Sequence, residues 1–305
     1  MTNHTAPPVA DDPQSGDDIA PDLSALMERM ERVRKFMLVE REYIKLVLIG
    51  MWFVLFGAIL TPGFPWRAFL VLGMAATPWL FGWYNLPRLR LANAFRNETL
   101  PFLLRDYGRW NYALAGTHFS RDALKRTGFL YPTDAIGVHS IITGERYGVP
   151  VQFAVLSSWP HPRFGIYRGR KANFSGWGAN IRLPDLPQAQ FLVLPSGQAP
   201  RDPACKSWIS APLTPSHTLF SPRQDGTALP PKLLARLMQI MVETPQSAFA
   251  VHDGILWVFA TGSDTRFNEG GTLYSPLNEP APYERVRGQL AEIFKVIDRL
   301  VWPST

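Results

Sequence analysis

Five cations stand close together near the middle of the chain: Arg163, Arg168, Arg170, Lys171 and Arg182, with Phe164, Tyr167, Phe174 and Trp177 among them. Such a group can meet lipid phosphates, a protein partner or, through ring stacking, single-stranded nucleic acid. Solvated cations beside core aromatics give the same pattern. The patch is therefore a speculative binding site for anionic lipid headgroups or a partner, and no nucleic acid is expected.

Other reactive types are dispersed. Cys205 is the sole cysteine, so no internal disulfide forms, and a reducing compartment is the natural expectation. His118, His139, His161, His217 and His252 show no metal-ligand spacing. No HExxH pair, nucleophile elbow, P-loop or dinucleotide fingerprint occurs, so neither a metal nor a cofactor is expected. Asp134, Glu145, Asp253 and Glu269 cannot be paired as acid and base from sequence separation alone, and the catalytic residues are unknown.

The strongest pattern is apolar. Leu46–Leu60 reads LVLIGMWFVLFGAIL and Ala68–Phe81 reads AFLVLGMAATPWLF, separated by the breaker-rich Thr61-Pro62-Gly63-Phe64-Pro65-Trp66-Arg67. With their edges, each run approaches the length needed to cross a hydrocarbon core of about 30 Å. So short a connection predicts an antiparallel transmembrane hairpin over residues 46–84. Arg29, Arg32, Arg34, Lys35, Arg41 and Lys45 precede it and Arg88, Arg90 and Arg96 follow it, whereas the turn offers only Arg67. That bias predicts a multi-pass protein of a bacterial inner membrane with both termini cytoplasmic. The runs lack the intramembrane carboxylates, Arg and His that mark an ion path, which disfavours a transporter or channel subunit.

Around the hairpin, residues 1–21 are acidic and poor in large apolar groups, predicting a disordered tail. Leu23, Met27, Met30, Val33 or Arg34, Met37 and Ile44 recur at helical steps, predicting an amphipathic leader helix over 22–45. It either leads into the first span or pairs with another helix.

Residues 85–305 read as a cytoplasmic α+β domain. A helix with a break or kink near Pro101 follows the second span, and Ser120 caps a short helix that stops at Gly128. Ala135–Thr143 and Val149–Ser157 predict a hairpin about Gly144–Gly148, and Arg163–Phe174 a further strand ending in a Ser175–Gly178 turn. Ile181–Leu183 and Phe191–Leu194 are shorter candidates. Residues 196–230 offer no clear element and default to a surface excursion. Pro231–Glu243 is helical, and Phe249–Val251 and Ile255–Ala260 pair about Asp253-Gly254. Val286, Leu290, Ile293, Phe294, Ile297 and Leu300 predict a C-terminal helix covering a mainly antiparallel sheet.

Several segments taken in order resemble an uncharacterised bacterial membrane-protein family, domain of unknown function 3137, from about Met27 to Leu300. Phe95-Arg96-Asn97-Glu98-Thr99-Leu100-Pro101 resembles the family's helix after the membrane. Asp134-Ala135-Ile136-Gly137 and Gly148-Val149-Pro150-Val151-Gln152-Phe153 resemble its first hairpin, Ile166-Tyr167-Arg168-Gly169-Arg170 its aromatic-Arg-Gly segment, and Phe174-Ser175-Gly176 its Phe-x-Gly turn. The connection from Leu186 to Ala228 departs from the family pattern. The resemblance implies a leader helix, two adjacent spans and an α+β region, and carries no catalytic set.

The leading expectation is a membrane-anchored cytoplasmic binding or scaffold protein with a protein partner or a second copy of itself. The alternative is a membrane-associated enzyme whose site is assembled from distant residues.

Overall fold

The computed structural model describes residues 20–59, 66–113, 119–160, 172–184, 186, 190–222, 230–261, 267 and 273–301, without the side chains of 20–22, 58, 59, 66–72, 74 and 75. The acidic tail, the turn at 61–65 and most of the expected strand at 163–174 lie outside these residues. The chain divides into two units, one of residues 1–91 with 271–280 and one of 92–270 with 281–305.

The first unit is built on two long helices. Leader and first apolar run form one continuous helix, α1 (Ala20–Ile59), and the second run opens α2 (Trp66–Leu104), which extends into the second unit. Among the described residues no helix is long and apolar enough to cross a membrane. The two apolar runs fall only partly within those residues. Of the described side chains in these runs, Trp52, Phe53, Val54 and Phe56 of α1 and Trp79 and Phe81 of α2 are exposed, while Leu48, Leu55 and Leu80 are half-buried.

The basic end of this unit is more tightly built. Arg34 grips Glu31 through Nε (2.8 Å) and Nη2 (2.6 Å) and donates from Nη1 to the Leu273 carbonyl at 2.7 Å. The Leu277 amide donates to Glu31 Oε2 at 2.8 Å. The Arg34 contact holds the Glu31 carboxyl at about 2, against an ordinary 4.5. Arg41 lies over the rings of both Tyr84 and Tyr274. Residues 273–277 are thus fastened to α1 by two arginines of the leader.

The second unit is an α+β domain whose described residues form a nine-stranded sheet in which every paired neighbour is antiparallel. In chain order the strands are β1 (Trp110–Ala113), β2 (Ala135–Arg146), β3 (Val149–Trp159), β4 (Phe174–Ile181), β5 (Phe191–Pro195), β6 (Ile209–Thr214), β7 (His217–Ser221), β8 (Ser247–His252) and β9 (Ile255–Thr261). They lie side by side as β1-β2-β3-β4-β9-β8-β5-β7-β6. The helices are α3 (Arg121–Arg126), α4 (Pro231–Glu243) and α5 (Ala281–Val301).

Two of the tight hairpins close on two residues of positive φ, as a type I′ turn requires: Tyr147-Gly148 (51° and 75°) and Asp253-Gly254 (52° and 70°). The first turn is shorter than the Gly144–Gly148 connection read from sequence, because Gly144, Glu145 and Arg146 continue β2. Ser120 Oγ accepts from the Ala123 amide to cap α3, and Gly128 (φ 78°) follows its end as expected. The helix through Pro101 runs on to Leu104 before tightening into a 3-10 turn at Arg105–Tyr107.

Two expectations are corrected. Ser175–Gly178 is no turn; it is the interior of β4. A Cβ on Gly176 would strike the Ala260 carbonyl and one on Gly178 the Leu156 side chain, so these glycines admit close strand packing. Residues 196–230 are no featureless excursion either, since β6 and β7 pair within them and β7 joins β5.

Apolar alternation places Ile136, Val138, Leu156, Phe174, Trp257 and Phe259 in a core shared with α3 and the Phe129-Leu130 segment. Phe153, with opposite phase, meets Phe294 of α5, whose ring also stacks on Tyr107 at 4.1 Å and abuts Trp110 at 4.9 Å. The C-terminal helix therefore covers the sheet as its periodicity predicts. Arg146 secures it by a bidentate pair with Asp298 at 2.5 and 2.9 Å.

Candidate functional site

The residues proposed from sequence contribute little described geometry. Arg163, Arg168, Arg170 and Lys171 lie outside the described residues, in the connection between β3 and β4. Arg182 is exposed just after β4, its amide bonded to the Pro150 carbonyl at 3.2 Å. Cys205 is buried against Gly128, and burial raises its thiol to about 11, so it is a packed apolar group and no thiolate nucleophile.

The histidines separate. His118 and His161 lie outside the described residues, and His252 sits 3.2 Å from Asp253. His217 is fully buried, with Nε2 3.0 Å from the Ser247 carbonyl and Nδ1 2.9 Å from Ser216 Oγ. The carbonyl must accept, so Nε2 carries the proton and Nδ1 takes the serine's. Burial lowers the pKa of this ring and keeps it neutral. Of the carboxylates, Asp134 receives the Asn173 amide and Asp253 meets Arg126 at 3.7 Å, while Glu269 lies outside the described residues. No group of three or more His, Cys, Asp or Glu converges among the described residues.

Two cavities of the second unit merit comparison. One, of about 390 Å³, lies where α4 and α5 meet the strands, lined by Trp177, Glu243, Glu292, Lys295 and Arg299 among others. Glu243 pairs with both Arg299 and Lys295 there, and these contacts lower its pKa, the Arg299 bond most.

The second, of about 330 Å³, is lined by Arg96 of α2, His139 of β2, Val155, Leu156, Ser157 and Trp159 of β3, and Ser175 of β4. The sheet register explains the convergence: Gly137 faces Ser157, Ser157 faces Ser175, and His139 is two residues along β2 on the side of Gly137. Gly137 admits close packing of three side chains, since a Cβ there would stand 2.9 Å from His139 Nε2, 3.0 Å from Ser157 Oγ and 3.1 Å from the Trp159 ring. Beside it β2 bulges between His139 and Ile142, with Ser140 buried at φ 51°, a left-handed conformation costly for a residue other than glycine. Burial raises the neighbouring Tyr112 phenol, opposed by Ser140 and the Arg96 charge, and neither hydroxyl makes a hydrogen bond of good geometry.

No family model matches the chain, and no curated protein matches it. Among solved structures, the crystal structure of the mycobacterial trehalose monomycolate transport factor A, TtfA, aligns with 66% of this chain and 96% of its own at 10% identity and a TM-score of 0.32. A likeness that low carries neither fold nor function across.

Proposed function

We propose that the chain is a membrane-anchored binding protein: the first unit holds it in a bacterial inner membrane through the α1–α2 hairpin, with both termini cytoplasmic, and the sheet domain is the binding module. The observation that carries this reading is the run of exposed Trp52, Phe53, Val54 and Phe56 within little more than one turn of α1. Neighbours on a helix point in different directions, so no single protein surface covers all four, whereas lipid surrounds a helix on every side. Lys and Arg on both flanks supply the orientation.

The enzyme alternative receives less support. Among the described residues, the cavity with a histidine has no carboxylate in its lining, and the cavity with carboxylates has no histidine.

The test is expression of the full chain in bacteria, alkaline washing of the membranes, and protease accessibility of tags at each end in intact cells and in opened spheroplasts. Retention after washing, with both tags cut only on opening, is expected. Release by the wash, or cleavage of either tag from outside, would sink the proposal.

A further inference from the structure

We propose that the cleft lined by Arg96, His139, Ser157 and Ser175 binds a phosphate group, carried either by a small soluble molecule or by a lipid headgroup. This deepens the binding-module reading by naming what the module holds.

Charge is the first argument. Arg96 donates to the Ala92 carbonyl from Nε at 3.2 Å and to Asn93 Oδ1 from Nη2 at 2.9 Å. It pairs with no carboxylate among the described residues. Three other arginines of this domain do, Arg146 with Asp298, Arg287 with Asp106 and Arg299 with Glu243, whereas Arg201, like Arg96, has a carbonyl as its hydrogen-bond partner. A half-buried guanidinium with only neutral partners keeps its field for an incoming anion.

Donor supply is the second. Ser157 and Ser175, opposite each other on β3 and β4, make no side-chain hydrogen bond among the described residues, and both line the same cavity as the guanidinium and His139. No acidic side chain shares that lining. A carboxylate has two oxygens, which one guanidinium fork satisfies; a helix-borne guanidinium with hydroxyls from two strands suits the larger oxygen set of a phosphate.

Room is the third. Gly137 lets His139, Ser157 and Trp159 pack down on the β2 backbone, so that the free space of the cavity lies beside this row and not over the glycine. The cavity, about 330 Å³, is at the small end of ligand pockets, enough for a phosphate and the group bearing it. The bulge and the left-handed Ser140 adjoin this row, where stored strain commonly marks a site.

The experiment is calorimetric titration of the full chain, in a zwitterionic detergent, with inorganic phosphate and separately with short-chain phosphatidic acid, using phosphatidylcholine of equal chain length as control. Saturable binding near one equivalent is expected. Phosphate heat identifies a soluble source, and binding of phosphatidic acid without phosphate heat identifies the headgroup. Arg96→Gln should weaken binding about tenfold or more, the worth of a charged hydrogen bond. Ser175→Ala should weaken it with every charge in place, and it serves if the arginine variant loses its circular-dichroism spectrum. Equal binding by wild type and variants, equal response to phosphatidylcholine, or no saturable heat overturns the proposal. Because the titration is in detergent, it reads the cleft separately from membrane insertion.

Discussion

α5 and the apolar part of α1 spend similar side chains in opposite ways. On α5, Val286, Leu290, Ile293, Phe294, Ile297 and Leu300 recur along one stripe and all are buried. On α1, Trp52, Phe53, Val54 and Phe56 are exposed in near succession. The first arrangement satisfies the hydrophobic effect within the domain; the second leaves apolar area whose burial must come from outside the described chain. Periodicity separates the two cases, because a stripe implies a partner on one side and an all-round distribution implies a surrounding medium.

The sharpest way to break that comparison is to truncate one ring in each region. Phe294→Ala removes a side chain 1% exposed that packs on Tyr107, Trp110 and Phe153. It should destabilise the domain by about 3–5 kcal/mol in denaturant titrations. Phe53→Ala removes one 74% exposed. Its denaturation midpoint in detergent should stay within about 0.5 kcal/mol of wild type, while retention in washed membranes falls. A large loss of domain stability from Phe53→Ala would show that α1 is an ordinary packed helix.

The next test concerns a place where the sequence misleads. Helix α5, helix α4 and the Asp253-Gly254 hairpin were legible because their signals are local: a 3.6-residue stripe, a proline at the start, two residues suited to positive φ. The Ser175–Gly178 stretch was not, since glycine marks both turns and close strand approach, and only the Ala260 carbonyl across β9 decides between them. The cleft was illegible for a related reason. Arg96, His139, Ser157 and Ser175 come from a helix and three strands, and the bulge that sets the phase of β2 leaves no mark in composition. Gly176→Ala drives a methyl into a backbone oxygen that no rotamer change relieves, so it should cost about 1–3 kcal/mol. It should also raise amide exchange along the β4–β9 pair. A neutral outcome would return this stretch to the turn read from sequence and leave the sheet without its central pairing.

The smallest effect is confined to the first unit and sharpens what holds its polar end. Glu31 is held at about 2 by Arg34, with the Leu277 amide also bonded to it. A carboxyl whose folded value lies below its ordinary 4.5 stabilises the folded form fully above 4.5, and that contribution fades as pH falls toward about 2. Acidification through this window should therefore loosen residues 273–277, read as a lower protection factor of the Leu277 amide once the intrinsic pH dependence of exchange is divided out, with no change in protection at amides of β8 and β9. Glu31→Gln should reproduce the loosened state at neutral pH, at a cost of about 1.5 kcal/mol for the charged hydrogen bonds lost. If Leu277 exchange in the variant matched wild type and followed no acid transition, the fastening would lie elsewhere, with the Arg41 stack on Tyr84 and Tyr274 the next candidate. Either result separates polar fastening from apolar exposure, since Glu31 and Phe53 share α1 yet face demands of opposite kinds.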